Sequence, residues 1–201
     1  MVIGLLALTS IPTIIGVGNS VSAQKRENAA LSKEQEKFQL TAMLPTEEGE
    51  LREAAFCVLV DGQIYLDFPQ RPVEGQRFCG YYFPYPSEEK HRGLVSFISN
   101  DPPALNWIYV DAETHALRYG GRKDTMGHTI GPWGWSEDEH FLDLEDDPAK
   151  FVARRQDDGR WAVYWHPTGS NDNGDSYKSK CQPVRLRRRK LLGMESRYVR
   201  H

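Results

Sequence analysis

The spacing of apolar and polar residues becomes strand-like from Ala54 onward. The run AAFCVLV, the pair Asp61-Gly62 and the run QIYLDF form the pattern of a strand, a two-residue turn and a strand. An Asp-Gly pair between alternating apolar runs is a strong hairpin signal, because glycine readily adopts the positive φ of such turns. The runs FVARRQ and RWAVYWH predict a second hairpin around Asp157-Asp158-Gly159.

Further apolar runs predict more strands along the same region. They are RFCGYYF, LVSFIS, LNWIYVD, ALRYG and PVRLRRRKL. In the last run, we expect Val184 and Leu186 to face inward, with Arg185 and Arg187 facing outward. The total of roughly eight to ten short strands predicts a mainly β protein, a single antiparallel β-sandwich or β-barrel-like domain. The sequence shows no β-α-β pattern and no glycine-rich nucleotide loop, which excludes the usual nucleotide-binding folds.

The first 23 residues are predicted to be a signal-like or membrane-anchor segment. No ionisable side chain precedes Lys25, and Val21-Ser22-Ala23 resembles a signal-peptidase site, although a basic start is missing. An apolar run of about eighteen residues lies at the lower limit for a membrane span. A cleaved signal peptide, a membrane anchor and an apolar helix docked on the domain all remain open. We expect a secretory or membrane-associated protein, with a cytoplasmic location as the alternative.

Residues 24–44 are predicted to form a helical spacer, and residues 45–201 a β-rich domain with a basic C-terminal end. The run KRENAALSKEQEKFQLTAM is rich in helix-forming residues and contains neither glycine nor proline. The spacer is expected to end before Pro45, since proline commonly follows the end of a helix.

The charges are unevenly distributed along the chain. Residues 136–147 contain seven acids and no Lys or Arg, whereas the chain from Lys178 onward contains nine bases and the single acid Glu195. Both runs are interpreted as solvated surface, with charge-driven protein interaction as an alternative. The basic run is expected to be an edge strand that resists further pairing, so nucleic acid is not an expected partner.

Neither the cysteines nor the histidines form a recognisable metal-binding pattern. The three cysteines, Cys57, Cys79 and Cys181, have no C-x-x-C spacing. A bridge between Cys57 and Cys79 stays open, with a buried reduced Cys57 preferred because it lies in an apolar strand. The histidines show no H-E-x-x-H arrangement, so neither a metal nor a cofactor is predicted.

The stretch from Leu117 to Trp135 holds the most unusual chemistry. Asp124 and His128 lie in its glycine-rich part, where a carboxylate and an imidazole could act as a general acid/base pair. Arg122 and Lys123 precede them and could hold an anion.

Trp133 and Trp135 end this stretch and are candidate binding residues. Tryptophan offers a flat apolar face on which a sugar or aromatic ring can stack. The competing interpretation is that the two tryptophans fill a core from one strand, and this interpretation is favoured.

Several longer phrases carry a resemblance to known proteins. They are SIPTIIGVGNSVSAQKR, FCGYYFPYP, GLVSFISNDPPALNWIYVDAETHALRYGGR and HTIGPWGW. Together they resemble a family of filamentous-fungal proteins of about this length, over most of the chain. The resemblance implies a lineage, but no activity or catalytic residues. It extends into the apolar N-terminus, which favours a structural or membrane role for that segment over a disposable leader.

The sequence therefore predicts a β-rich binding or accessory protein, and a non-catalytic role is favoured. The expected partner is a small molecule, a glycan or a protein, with membrane association through residues 1–23. One alternative is an enzyme of unfamiliar type in fungal natural-product metabolism that uses the Arg122–His128 loop. The other is a charge-driven interaction module.

Overall fold

The computed structural model describes residues 36–89, 91–100, 103–166 and 180–191. These residues form fourteen strands and two short 3₁₀ turns. The strands are β1 Phe38–Pro45, β2 Leu51–Val60, β3 Gln63–Asp67, β4 Gln76–Arg77, β5 Gly80–Pro84, β6 Arg92–Asn100, β7 Pro103–Val110, β8 Leu117–Gly120, β9 Trp133–Trp135, β10 Leu142–Leu144, β11 Phe151–Arg155, β12 Trp161–Trp165, β13 Cys181–Pro183 and β14 Arg185–Lys190. The 3₁₀ turns are Arg122–Thr125 and Pro148–Lys150.

Antiparallel pairing closes seven of the strands into a ring. Following the hydrogen bonds from β1 leads through β2, β3, β8, β7, β6 and β5 back to β1. Closure satisfies backbone groups that an open sheet would leave unpaired at its edges. Strand β14 also pairs with β1, while β12, β11 and β13 extend the sheet from β3. The predicted mainly β, barrel-like fold is confirmed.

The Asp-Gly signal places the first hairpin correctly. Strands β2 and β3 pair in register from Phe56 opposite Asp67 to Val60 opposite Gln63. Asp61 and Gly62 have φ values of 48° and 79°, the two positive angles that a type I′ turn requires. The second predicted hairpin is also present, with β11 paired to β12 around Gly159.

The structure has strand β1 where the end of the helical spacer was predicted. Residues 38–44 of that spacer are extended, so the helix prediction is wrong there, and residues 24–35 lie outside the described part of the chain. Phe38, Leu40 and Ala42 alternate into the core, which is the period of a strand. The helix-forming composition is overridden because β1 pairs with β2 across a short turn and with β5 and β14, which are distant in sequence.

The inward face of β14 continues one step further than expected. Val184 and Leu186 are buried as predicted, and the next inward position is Arg188, whose side chain is only 4% exposed. Its guanidinium lies 4.8 Å from the ring centre of Trp135 and 5.6 Å from that of Phe38. Glu36 accepts a hydrogen bond from Arg188 Nη2 at 3.1 Å, which compensates the buried charge.

The predicted leader or anchor at residues 1–23 lies outside the described residues. Within the described part of the chain, no helix has the length and apolar character needed to span a membrane.

Phe38→Ala tests the assignment of β1 as a core strand. Phe38 is 1% exposed and packs against Phe78, Tyr82 and Trp135. Its loss should lower the free energy of unfolding by about 3–5 kcal/mol, as measured by urea denaturation. Gln39→Ala, on the opposite strand face, is the control and should cost less than about 1 kcal/mol. Equal losses at the two positions would contradict the alternation.

Cys57 should resist alkylation until the protein unfolds. Cys57 is a buried, reduced thiol, and burial raises its pKa to about 12. Because the thiolate is the reactive form, iodoacetamide at mildly alkaline pH should label Cys79 and Cys181, which are less buried, before Cys57. Mass spectrometry of timed samples, with a urea-unfolded control, measures this order. Labelling of Cys57 at the rate of Cys181 would refute it.

Candidate functional site

In the glycine-rich connection, the polar side chains of Asp124 and His128 accept hydrogen bonds from backbone nitrogens. Asp124 Oδ2 accepts a hydrogen bond of 2.8 Å from the backbone nitrogen of Gly121 and so holds the 3₁₀ turn. His128 Nδ1 accepts a 3.0 Å bond from the nitrogen of Ala112, and its ring stacks on Tyr109. The contacts of these described residues include no hydrogen bond between Asp124 and His128. The predicted acid/base pair therefore stays a prediction, without a contact that supports it.

The two predicted anion-binding residues differ in their surroundings. Arg122 Nη2 donates a 2.9 Å hydrogen bond to the carbonyl of Pro86, which links two connections. Lys123 is exposed. Within the described ranges, neither residue forms an ion pair, and neither lines the two clefts described below, so their role as anion-binding residues stays a prediction.

The two tryptophans predicted as binding residues also lie in different environments. Trp133 is 1% exposed and stacks on Phe151 with a ring distance of 6.4 Å, so its indole lies inside the core, as in the competing interpretation. Trp135 is half-buried, makes edge contacts with Phe38 and Tyr82, and lines an open cleft.

The turn between β11 and β12 forms one side of a cleft of about 550 Å³, here called the Trp161 cleft. Its lining combines apolar, acidic and basic side chains from two distant segments: Leu66, Phe68, Arg71, Pro72, Val73, Arg155, Asp157, Asp158, Gly159, Arg160 and Trp161. The rings of Phe68 and Trp161 meet edge-on at 6.5 Å and form an aromatic wall.

Two guanidinium groups converge at the turn of this cleft. Arg71 Nη1 and Arg155 Nη2 lie 3.5 and 3.9 Å from the point that a Cβ on Gly159 would occupy. Arg160 is different, because its Nε donates to Asp158 Oδ2 at 2.6 Å and its guanidinium covers the ring of Tyr65. Hydrogen bonds from the Arg160 backbone and side chain hold the pKa of Asp158 below its ordinary value.

Arg71 and Arg155 lack such partners. Across the described residues, no carboxylate lies within ion-pair distance of either guanidinium. Arginine can bind a carboxylate or sulfate through two parallel hydrogen bonds, so the pair can hold an acidic group beside the aromatic wall. The sequence indicated only a hairpin at this turn. The turn has Arg155, Arg160 and Trp161 beside it in the sequence. Arg71 belongs to a separate segment, which only the fold brings to the turn.

A second opening of about 640 Å³, the Asp143 cleft, lies at the hairpin of β9 and β10. It is lined by Trp135, Ser136, Glu137, Asp138, Phe141, Asp143, Asp146, Pro148 and Arg185. Asp138 supports the turn, accepting hydrogen bonds from Ser136 and from the backbone of His140. These bonds lower its pKa.

Asp143 has a very different environment within this cleft. The residue is 4% exposed, and its Oδ1 is fully buried with no hydrogen-bond partner. Burial raises the pKa of Asp143, and the negative charges of Asp146 and Asp147 add to this, against the attraction of Arg92. The described residues bring no three metal-ligating side chains together here or elsewhere.

Asp143→Asn should stabilise the protein at neutral pH. A carboxyl whose pKa is raised in the folded state contributes stability below its unfolded pKa, and this is lost as pH rises through the folded pKa. The variant should match the wild type near pH 3 and gain about 1.4 kcal/mol at pH 7 per unit of pKa elevation. Urea midpoints across pH measure the difference. Asp157→Asn, whose side chain is fully exposed, is the control and should show no such trend.

Comparison with known proteins assigns the family. No curated protein and no solved structure matches the chain. The family model of the fungal beta-trefoil domain matches residues 16–192, which is most of the chain and includes both clefts. This agrees with the resemblance to fungal proteins and with the ring of antiparallel strands. The chain belongs to the fungal beta-trefoil domain family.

Proposed function

We propose that this domain is a non-catalytic binding protein whose Trp161 cleft binds a carbohydrate that carries carboxylate or sulfate groups. The observation that carries the proposal is the convergence of Arg71 and Arg155, without carboxylate partners, beside the wall of Phe68 and Trp161. Beta-trefoil domains often bind carbohydrates or proteins, which supports a binding role in general.

The cleft offers the two kinds of contact that an acidic sugar requires. The apolar face of a sugar ring can stack on an aromatic side chain, and here Trp161 and Phe68 provide that surface. The acidic substituent can accept hydrogen bonds from the guanidinium groups of Arg71 and Arg155. Asp157 and Asp158 at the rim provide acceptors for sugar hydroxyls, and Asp158 keeps Arg160 in place.

A small anion alone would leave most of the cleft unused. Its volume of about 550 Å³ falls in the range of sites that bind small organic ligands. The aromatic wall would also contribute nothing to an isolated sulfate or phosphate. A sugar ring with an acidic substituent uses both features at once, which favours this ligand class over a simple anion.

The contacts of the Arg122–His128 loop support binding over catalysis. Asp124 and His128 each accept a hydrogen bond from a backbone nitrogen, and both bonds stabilise local turns. A general acid or base must instead present its reactive atom to the substrate. The enzymatic alternative thus has less geometric support than the Trp161 cleft.

Isothermal titration with oligogalacturonate, a heparin-derived oligosaccharide and a neutral chito-oligosaccharide tests the proposal. We expect one of the two acidic ligands to bind more tightly than the neutral ligand, with an affinity that falls as salt is added. Arg71→Ala and Arg155→Ala should each weaken binding about 10- to 100-fold, because each removes a hydrogen bond to a charged group. Trp161→Ala should weaken it through loss of stacking.

Arg52→Ala provides a matched control, since Arg52 is exposed and lies outside the cleft. It should leave the affinity unchanged. Circular dichroism and urea denaturation of each variant establish that the fold is retained. Binding of the neutral ligand with equal affinity, or wild-type affinity in the double variant Arg71→Ala/Arg155→Ala, would reject the site. Failure of both acidic ligands to bind would reject the ligand class.

A further inference from the structure

We propose a second binding site, independent of the Trp161 cleft, in which Asp143 binds a positively charged nitrogen group of a ligand. The ligand chemistry is a primary ammonium or a guanidinium on a short organic stem. A free amine and a lysine or arginine side chain of a protein both carry this group.

The first support is the buried, incompletely bonded carboxylate. Asp143 lies between Leu142 and Leu144, which are fully buried, and is itself 4% exposed although it lines the cleft. Its Oδ1 has no hydrogen-bond partner. Buried polar atoms in native proteins are nearly always hydrogen-bonded, because an unsatisfied one has lost its contact with water without compensation. The carboxylate therefore lacks a hydrogen-bond donor, and a ligand that enters the cleft beside Asp143 can supply one.

The second support is that the residue opposite Asp143 is a glycine, which leaves room for the carboxylate. Asp143 lies opposite Gly134 in the β9–β10 hairpin, and a Cβ on Gly134 would collide with Asp143 Oδ1. The absence of a side chain between Trp133 and Trp135 is therefore what allows the carboxylate to occupy its position. Tyr82 fixes the backbone here, because its hydroxyl donates a 2.5 Å hydrogen bond to the carbonyl of Gly134.

The charges around the cleft favour a cation. Glu137, Asp138 and Asp146 line it together with Asp143. Their negative potential attracts a positive group and opposes an anion. Arg185 is the basic side chain in the lining, and its guanidinium lies over the ring of Phe141 at 5.5 Å.

The geometry points to an organic cation rather than a metal ion. The described residues place no group of three His, Cys, Asp or Glu side chains where they could share one ion. Asp138 already accepts hydrogen bonds from the Ser136 hydroxyl and from the backbone nitrogen of His140. One deep carboxylate in an opening of about 640 Å³ instead suits a group that donates several directed hydrogen bonds and carries a stem toward solvent.

The test uses the full chain labelled with ¹³C at aspartate, titrated with agmatine, spermidine and N-acetyl-arginine amide. We expect the Asp143 carboxyl resonance to shift with saturation, at a dissociation constant below about 10 mM for at least one probe. Asp143→Asn should weaken that binding at least about tenfold. Asp157→Asn should leave the binding unchanged, because Asp157 belongs to the other cleft.

Two further variants keep the outcome decisive. Gly134→Ala retains the carboxylate but forces it to move, and should weaken the same probe as Asp143→Asn does. Arg185→Ala removes a positive charge from the cleft and should tighten cation binding. If Arg185 instead serves as the internal partner of Asp143, its loss should destabilise the fold without tightening the binding, and this would overturn the proposal.

The arms of the experiment also separate the sources of the cation. Preference for agmatine or spermidine indicates a free amine, whereas preference for N-acetyl-arginine amide indicates an arginine side chain of a protein. No shift of the Asp143 resonance with any probe up to about 10 mM would overturn the site. The double variant Arg71→Ala/Arg155→Ala should bind the cation normally, so that failure of the Trp161 cleft and failure of this site are distinguishable.

Discussion

The closure of the strand ring at β1 is the constraint on which the remaining structure depends. Phe38 lies opposite Gly80 of β5 and opposite Lys190 of β14, so one residue of β1 joins two of its three partner strands. Its ring contacts Trp135, and the buried guanidinium of Arg188 lies against both rings. Glu36 compensates that buried charge, which would otherwise be costly in the core. The first described strand, the last one and the tryptophan hairpin are thereby held together.

The two clefts take their rigidity from this framework in different ways. Asp143 lies on a two-stranded hairpin outside the main sheet, which is anchored to the core through Trp133 and Trp135. The Trp161 cleft instead lies at the start of β12, which pairs directly with β3 in the ring. Binding groups carried on paired strands keep their geometry better than those on long loops. The polar residues of the glycine-rich connection lie on turns, and their hydrogen bonds maintain those turns.

Local patterns in the sequence predicted the hairpins, whereas contacts between distant residues decided the rest. Asp61-Gly62 specifies its own turn, so no other part of the chain was needed to identify β2 and β3. The strand character of Phe38 depends on partners such as Lys190, and the residues around it favour a helix on their own. Arg71 reaches Gly159 only in the folded chain. The sequence placed Asp143 only within a solvated acidic run, and nothing in that run indicates that neighbouring residues bury its side chain.

The positions of the charged side chains were likewise predictable from the sequence only in part, because the fold decides which of them are buried or brought together. The linear sequence has an acidic run and a basic run, which suggests two solvated patches of opposite sign. In the structure, the basic strand turns Arg188 into the core, and the converging cations of the Trp161 cleft come from Arg71 and Arg155 outside that run. Most of the acidic run is solvated as expected, but it also contributes one buried carboxylate, Asp143. Desolvation makes such a group far more sensitive to a partner than its exposed neighbours are, because water no longer screens the interaction. The chemistry of each cleft therefore follows from a few side chains that the fold brings together or buries. The net charge of the surrounding sequence does not predict that chemistry.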